Sequence, residues 1–261
     1  MTLMSLVDPQ MVSNIVAQVA ADVILPRFLH LSGADIHEKN PGDLVTVADR
    51  EAEQCLIELL PPLLDGSLVM GEECVSADPG LLACLADDRP VWVIDPIDGT
   101  GNFVRGSTNF AVIVALVWRQ QTMQGWIYDP LSGRTTHATR GGGTWRGGAR
   151  LSIAPRPVAG MTGSVARRDH PRIAQHGLTA RQLGSAAHEY LALLDGTLDF
   201  SCYRRLHPWD HAAGTLMVTE AGGKAATFDG KPYRPVPQPG NSLLMAPDEA
   251  SWQALRDMLA D

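Results

Sequence analysis

Apolar positions along this chain follow two rhythms, and the order in which they alternate sets the expected architecture. Short apolar runs bounded by turn residues predict strands over residues 67–70, 91–94, 110–118, 123–128 and 135–139. Four more fall at 164–166, 198–203, 224–227 and 242–245. Helical spacing appears between them. Met11, Val12, Ile15, Val16, Val19 and Val23 predict an amphipathic helix that opens at Asp8-Pro9 and reaches about Leu25, where Pro26 ends or kinks it. Thr46-Val47-Ala48-Asp49 has the form of a capping box and predicts a helix to Leu60, stopped by Pro61-Pro62. Further helices are expected over 185–194, over 208–220 with Gly222-Gly223 as its end, and over 248–259.

Strands 110–118 and 123–128, joined by a polar turn, read as an antiparallel pair. Lys39-Asn40-Pro41-Gly42-Asp43 reads as a loop, and the glycines at 141–143 and 147–148 as hairpin turns, since no P-loop lysine follows them. Pro155 and Pro157 mark a boundary near residue 150. The expected class is α/β: an α+β half over 1–150 and an α/β half over 151–261.

Composition narrows the function. A chain of 261 residues, 45% hydrophobic and 19% charged, is globular and long enough for a large core. Its net charge of −8, without a basic block, argues against nucleic acid or an anionic membrane as partner. The longest apolar run, 110–118, is well short of the ~20 residues of a membrane helix. Cys55, Cys74, Cys84 and Cys202 lack C-x-x-C spacing and read as reduced thiols, so a cytoplasmic protein is expected.

The candidate chemistry gathers around one stretch. The apolar run 91–94 delivers Asp95 and Asp98 at its end, followed by Gly99-Thr100-Gly101. Glu72-Glu73 follows another strand and a glycine, and Asp210 lies in the opening turn of a helix. Two carboxylates ~4 Å apart repel by ~4 kcal/mol at an effective dielectric of ~20, so a gathering of acids needs cations. Oxygen donors without neighbouring His or Cys favour Mg²⁺ or Mn²⁺ over zinc. Two such ions would clamp a phosphoryl group and activate a water. Asp95 has the spacing to bridge both ions while Asp98 reaches one, with the Ile97 carbonyl as a further ligand. Asp49 is both a helix-capping acid and a candidate site carboxylate.

Glu72-Glu73, the stretch from Asp95 to Phe103, and Trp209-Asp210-His211-Ala212-Ala213-Gly214 occur in the order of the inositol monophosphatase family, which the chain resembles over nearly its whole length. The resemblance implies a layered αβαβα sandwich of the inositol monophosphatase and fructose-1,6-bisphosphatase type, usually a homodimer, and a lithium-sensitive Mg²⁺-dependent phosphomonoesterase. It implies one ion on Glu72, Asp95 and the Ile97 carbonyl, a second on Asp95, Asp98 and Asp210, and a weaker third near Glu72. Thr100 and Asp49 would orient and deprotonate the attacking water, with Glu73 behind them, and the Gly99 and Thr100 amides would hold phosphate. Lys39 and Asp43 fall in the stretch similar to the family's mobile loop, and Ala186 and Ala187 in its other substrate-contacting turn. Tyr203 stands where the family's inositol enzymes carry a sugar-contacting glutamate, and Arg204-Arg205 after it reads as a surface pair.

Inositol monophosphate or a similar polyol phosphate is the expected substrate. Histidinol phosphate, a 3′-phosphoadenosine nucleotide and fructose 1,6-bisphosphate are the alternatives, together with a non-catalytic regulatory role on the same fold. A haloacid-dehalogenase-type site needs D-x-D rather than D-x-x-D, and a dinucleotide site needs a third glycine. His207 and His211 have i, i+4 spacing but lack the zincin glutamate, and read as packing groups.

Overall fold

A computed structural model describes residues 6–260. Helix α1 (Pro9–Val19) starts where the Asp8 side chain accepts the Gln10 amide, and it buries Val12, Val16 and Val19. Its winding loosens to a π turn over Ala20–Ile24 and then tightens over Leu25–Arg27, so the expected helix to Leu25 changes form before Pro26. The stretch expected as a loop is instead a hairpin. Strands β1 (Ile36–Asn40) and β2 (Asp43–Thr46) pair antiparallel, so Lys39 and Asp43 both sit in strands, and Gly42 takes the left-handed turn position at φ +82°. Thr46 and Asp49 form the capping box that opens α2 (Val47–Leu59).

The larger sheet has the order β3 (Leu68–Gly71), β4 (Val91–Asp98), β5 (Ala111–Trp118), β6 (Gln121–Asp129), β7 (Arg134–Thr139), β8 (Gly143–Arg146), β9 (Ala149–Leu151). β3 runs parallel to β4, and every later neighbour is antiparallel. Short helices α3 (Glu72–Ala77) and α4 (Thr100–Val104) leave the ends of β3 and β4. β4 continues through Asp98, with an irregular register between Asp95 and Asp98. The turn joining β5 to β6 has Arg119 and Gln120 at φ +49° and +60°, the geometry that matches strand twist in a two-residue hairpin. β8 and β9, absent from the expected strands, form between the glycine turns.

The uninterrupted apolar runs of β4 and β5 follow from burial on both faces. Val91, Val93, Ile113, Ala115 and Val117 point into one core. Trp92, Ile94, Val112, Val114 and Leu116 point into another, against α1 and α2. The smaller sheet comprises β10 (Thr162–Ser164), β11 (Thr179–Ala180), β12 (Phe200–Tyr203), β13 (Lys224–Thr227) and β14 (Leu243–Ala246), in the order β11-β10-β12-β14-β13. Helices α6 (Ala186–Leu194) and α7 (Pro208–Glu220) lie between the sheets and share the first core with Leu243 and Met245 of β14. α5 (His170–Ala174) and α8 (Glu249–Leu259) cover the outer face through Ile173, Trp252, Leu255 and Leu259. The layers are therefore α, β, α, β, α, the expected sandwich.

The central helices are held closely. A Cβ on Gly125 of β6 would come within 2.7 Å of the Ala213 Cα, so the glycine lets α7 rest directly on the sheet. Each Leu, Val or Phe buried in such a layer contributes roughly 1.5–3 kcal/mol. That packing fixes where α7 delivers its first turn.

Candidate functional site

Gly71 of β3 pairs with Ile94 of β4 in parallel register. The residues that follow, Glu72 at the start of α3 and Asp95 within β4, therefore stand side by side at the same end of the sheet. α7 crosses above them, and its first turn supplies Asp210. The three carboxylates each offer an oxygen within 4.8 Å of the others. Asp95 is only 2% exposed. Burial, then the charges of Glu72, Asp98 and Asp210, raise its pKa well above the ordinary aspartate value. Burial, then Glu72 and Asp98, do the same to Asp210, which is close enough to Asp95 to share a hydrogen bond. Two carboxyl groups can share such a bond only through a proton. An all-oxygen cluster under this repulsion fits a hard divalent cation.

One cation already touches the cluster. Lys39 reaches in from β1, its Nζ 2.7 Å from Glu72 Oε1 and 2.9 Å from Glu73 Oε1. Burial opposes its charge, but Glu72 and Glu73 outweigh burial and hold its pKa above the usual lysine value. Glu73 faces this ammonium and lies outside the group of three, and burial raises its carboxyl to about 7.

Asp49, at the start of α2, is almost fully buried, and burial raises its carboxyl to about 6. One oxygen accepts the Thr46 amide and hydroxyl at 2.8 and 2.5 Å. The other lies 3.1 Å from the Thr100 hydroxyl, which is also 3.0 Å from the Ile97 carbonyl. Thr100 has one proton to give to these two acceptors.

Asp98 sits apart from the group of three. Its Oδ2 accepts the Ser185 hydroxyl and the Ala187 amide (2.8 Å), and its Oδ1 accepts the Ala186 amide at 3.1 Å. The Ala186 and Ala187 amides, expected to face a substrate, thus donate to Asp98 and anchor α6 to the end of β4. A carboxylate has about four lone-pair positions, so Oδ1 keeps one for a further ligand. Gly99, at φ +87°, could carry no side chain, because a Cβ there would meet Asn109 O at 2.8 Å.

Next to Asp98 and Asp210 opens a cavity of about 400 Å³ whose wall includes Ser164, Glu189, Tyr203, Arg205 and His211. Tyr203 lines it, and its hydroxyl donates to Glu189 Oε2 at 2.6 Å. Glu189 was not anticipated. It is 5% exposed, burial raises its pKa, and it also accepts the Leu183 amide at 3.2 Å. In sequence it is one acid in a first helical turn, where capping explains acids equally well.

His211 Nε2 faces the Arg205 carbonyl at 2.8 Å and therefore carries the proton, so Nδ1 accepts from the Tyr190 hydroxyl. Burial lowers its pKa to about 4. His207 instead stacks on Trp209, so the two histidines are packing groups. Arg204 departs from the expected surface pair: it is partly buried and binds Asp169 at 3.2 Å, whereas Arg205 is exposed. All four cysteines are free, and no helix among the described residues is long and apolar enough to cross a membrane.

Fold and site together define a phosphomonoesterase of the metal-dependent kind. The chain belongs to the inositol monophosphatase family, whose profile matches residues 9–259. It is 33% identical over 212 residues to a fructose-1,6-bisphosphatase/inositol-1-monophosphatase of Thermotoga maritima, covering 78% of this chain and 79% of that one. A Vibrio cholerae protein named Nus factor SuhB is 33% identical over 208 residues, covering 74% and 75%. The solved structure of a Thermotoga maritima IMPase superposes with a TM-score of 0.79 at 26% identity, covering 96% of this chain and 95% of that one.

Proposed function

We infer that this enzyme hydrolyses a small polyol phosphate, inositol monophosphate or a close relative, with Mg²⁺ as cofactor. The observation that carries the reading is the convergence of Glu72, Asp95 and Asp210 beside a cavity that ends on the buried Glu189–Tyr203 pair. Glu72, Asp95 and the Ile97 carbonyl would hold one ion, and Asp95, Asp98 and Asp210 a second, with a third near Glu72. When bound, the ions supply positive charge to the phosphate and Lewis acidity toward water and leaving group.

The chain's own groups do the rest. Thr100 donates its hydroxyl hydrogen bond to the ionised Asp49 and turns its lone pairs to the attacking water. As the water passes a proton to the Thr100 oxygen, the threonine's own proton moves on to Asp49, so one proton leaves the water and one carboxylate takes it up. The Gly99 and Thr100 amides, at a helix start, orient phosphate oxygens. In the cavity, Glu189 and Tyr203 offer a carboxylate and a phenol to the hydroxyls of a polyol, so the carboxylate comes from α6 rather than from β12. Arg205, exposed on the cavity wall, favours a second anionic group on the substrate, which keeps fructose 1,6-bisphosphate as the second reading.

A phosphate-release assay over inositol monophosphate, fructose 1,6-bisphosphate, histidinol phosphate and 3′-phosphoadenosine nucleotides tests this. Fastest Mg²⁺-dependent, lithium-inhibited release from the inositol ester is expected. Preference for the bisphosphate that is lost in Arg205→Ala would establish the second reading. A homodimer, the state the resemblance implies, belongs to the same proposal and is checked by sedimentation.

A further inference from the structure

Helix α3 carries Glu72 yet is poorly held by packing. It has six residues, of which only Val75 is fully buried, and its Gly71 cap position supplies no side chain. Behind it lies a cavity of about 490 Å³ lined by Lys39, Arg50, Glu53, Glu73 and Cys74, so there is room for the helix to shift. The side chain that ties it down comes from another element. Glu53 on α2 is 2% exposed, and its two oxygens accept the amides of Glu73 and Cys74, each at 2.8 Å. These are amides that the start of a helix leaves without intrahelical partners.

A second observation matches the first. Gly71 has an ordinary φ of −125°, so its backbone does not require glycine. A Cβ there would overlap the Glu53 carboxylate, whose atoms are the nearest to that position. Glycine is needed at 71 because Glu53 is there.

Glu53 also lies one helical turn after Asp49, and both belong to the buried stripe of α2. The same rigid helix thus carries the acid that contacts Thr100 and the acid that fixes the start of α3. We propose that Glu53 is the positioning residue for Glu72, setting it against Asp95 at the distance a divalent ion needs, and that Gly71 exists to admit it. This rests on the metal-site reading above. Glu53 holds backbone and touches neither ion nor substrate, so its effect reaches the site only through α3.

Glu53→Gln keeps the shape but turns an NH₂ toward one of the two amides. Calorimetric titration of Mg²⁺ into the whole protein should show affinity weakened by about tenfold or more, the size expected when a group orienting a ligand is lost. Amide hydrogen exchange at Glu73 and Cys74 should speed up, and the KM for Mg²⁺ should rise by more than kcat falls. Gly71→Ala should weaken Mg²⁺ binding comparably, and in a Glu53→Ala background it should add little. Glu53→Gln that lowers the melting temperature while Mg²⁺ affinity stays unchanged would make the residue merely structural and overturn the proposal. Full additivity of the two substitutions would overturn the pairing. Absence of Mg²⁺ binding by the unsubstituted protein would instead remove the metal-site reading on which both rest.

Discussion

The two sides of this site meet their electrostatic demands in opposite ways. On the ion side, Glu72, Asp95 and Asp210 crowd together, with Lys39 set against Glu72 and Glu73. On the cavity side, Glu189 holds Tyr203 and the Leu183 amide, while His211 is fixed between Tyr190 and the Arg205 carbonyl. The second side is satisfied within the protein, and the first calls for charge from outside. Strain of this kind costs stability, and proteins keep it where function requires it.

The contrast is tested most severely at Asp95. Asp95→Asn should lower Mg²⁺-dependent phosphate release by at least about a hundredfold, beyond the usual loss for groups that only orient ligands. In the absence of metal the same change relieves repulsion among buried acids. It should raise the melting temperature by about 2–6 °C, measured calorimetrically in chelator. A variant that loses both activity and stability would erase the distinction between the two sides.

On the satisfied side, pH is the sharper probe. Above about pH 6.5 the His211 imidazole is neutral in both folded and unfolded chains. As pH falls toward about 4 the unfolded chain binds the proton first, because burial lowers the folded pKa to about 4. The His211 contribution to stability is therefore complete above pH 6.5 and declines below it, by roughly 3 kcal/mol at the low end. The buried carboxyls Asp49 and Glu73, whose pKa values burial raises, act in the opposite direction, so the test is a difference. Urea titrations of the protein and of His211→Gln from pH 7 to pH 4 should diverge by that amount.

Smaller effects should follow at the cavity wall and at the lysine. Glu189→Gln or Tyr203→Phe leaves a buried partner short of a hydrogen bond and should raise KM for the polyol ester about tenfold, with less change in kcat. Initial-rate kinetics on the preferred ester would reveal a kcat effect instead, if these groups act on the reacting atoms. Lys39→Met should destabilise the metal-free protein by about 1 kcal/mol, a difference that disappears in saturating Mg²⁺. Equal destabilisation with and without Mg²⁺ would mean that Lys39 and the ions do not share the acids.

Features set by neighbouring residues were legible before the structure. The Thr46–Asp49 capping box, the Pro208 opening of α7 and the two-faced apolar runs of β4 and β5 each depend on a few adjacent side chains. The order of acidic segments carried the family resemblance, and with it the sandwich. What escaped depends on contacts distant in sequence. Glu53 meets amides 20 and 21 residues away. Asp98 takes the Ala186 and Ala187 amides 88 and 89 residues on. β8 and β9 escaped because their glycine-flanked residues lack a β-branched run, and the β1–β2 hairpin because its turn residues spread the signal of a loop over the strands.

The most direct measurement is anomalous diffraction from crystals of this protein soaked in Mn²⁺. The account predicts strong peaks beside Glu72, Asp95 and the Ile97 carbonyl and beside Asp95, Asp98 and Asp210, with the Lys39 ammonium no longer bonded to Glu72. No peak there at millimolar Mn²⁺, or ions bound only elsewhere, would contradict it.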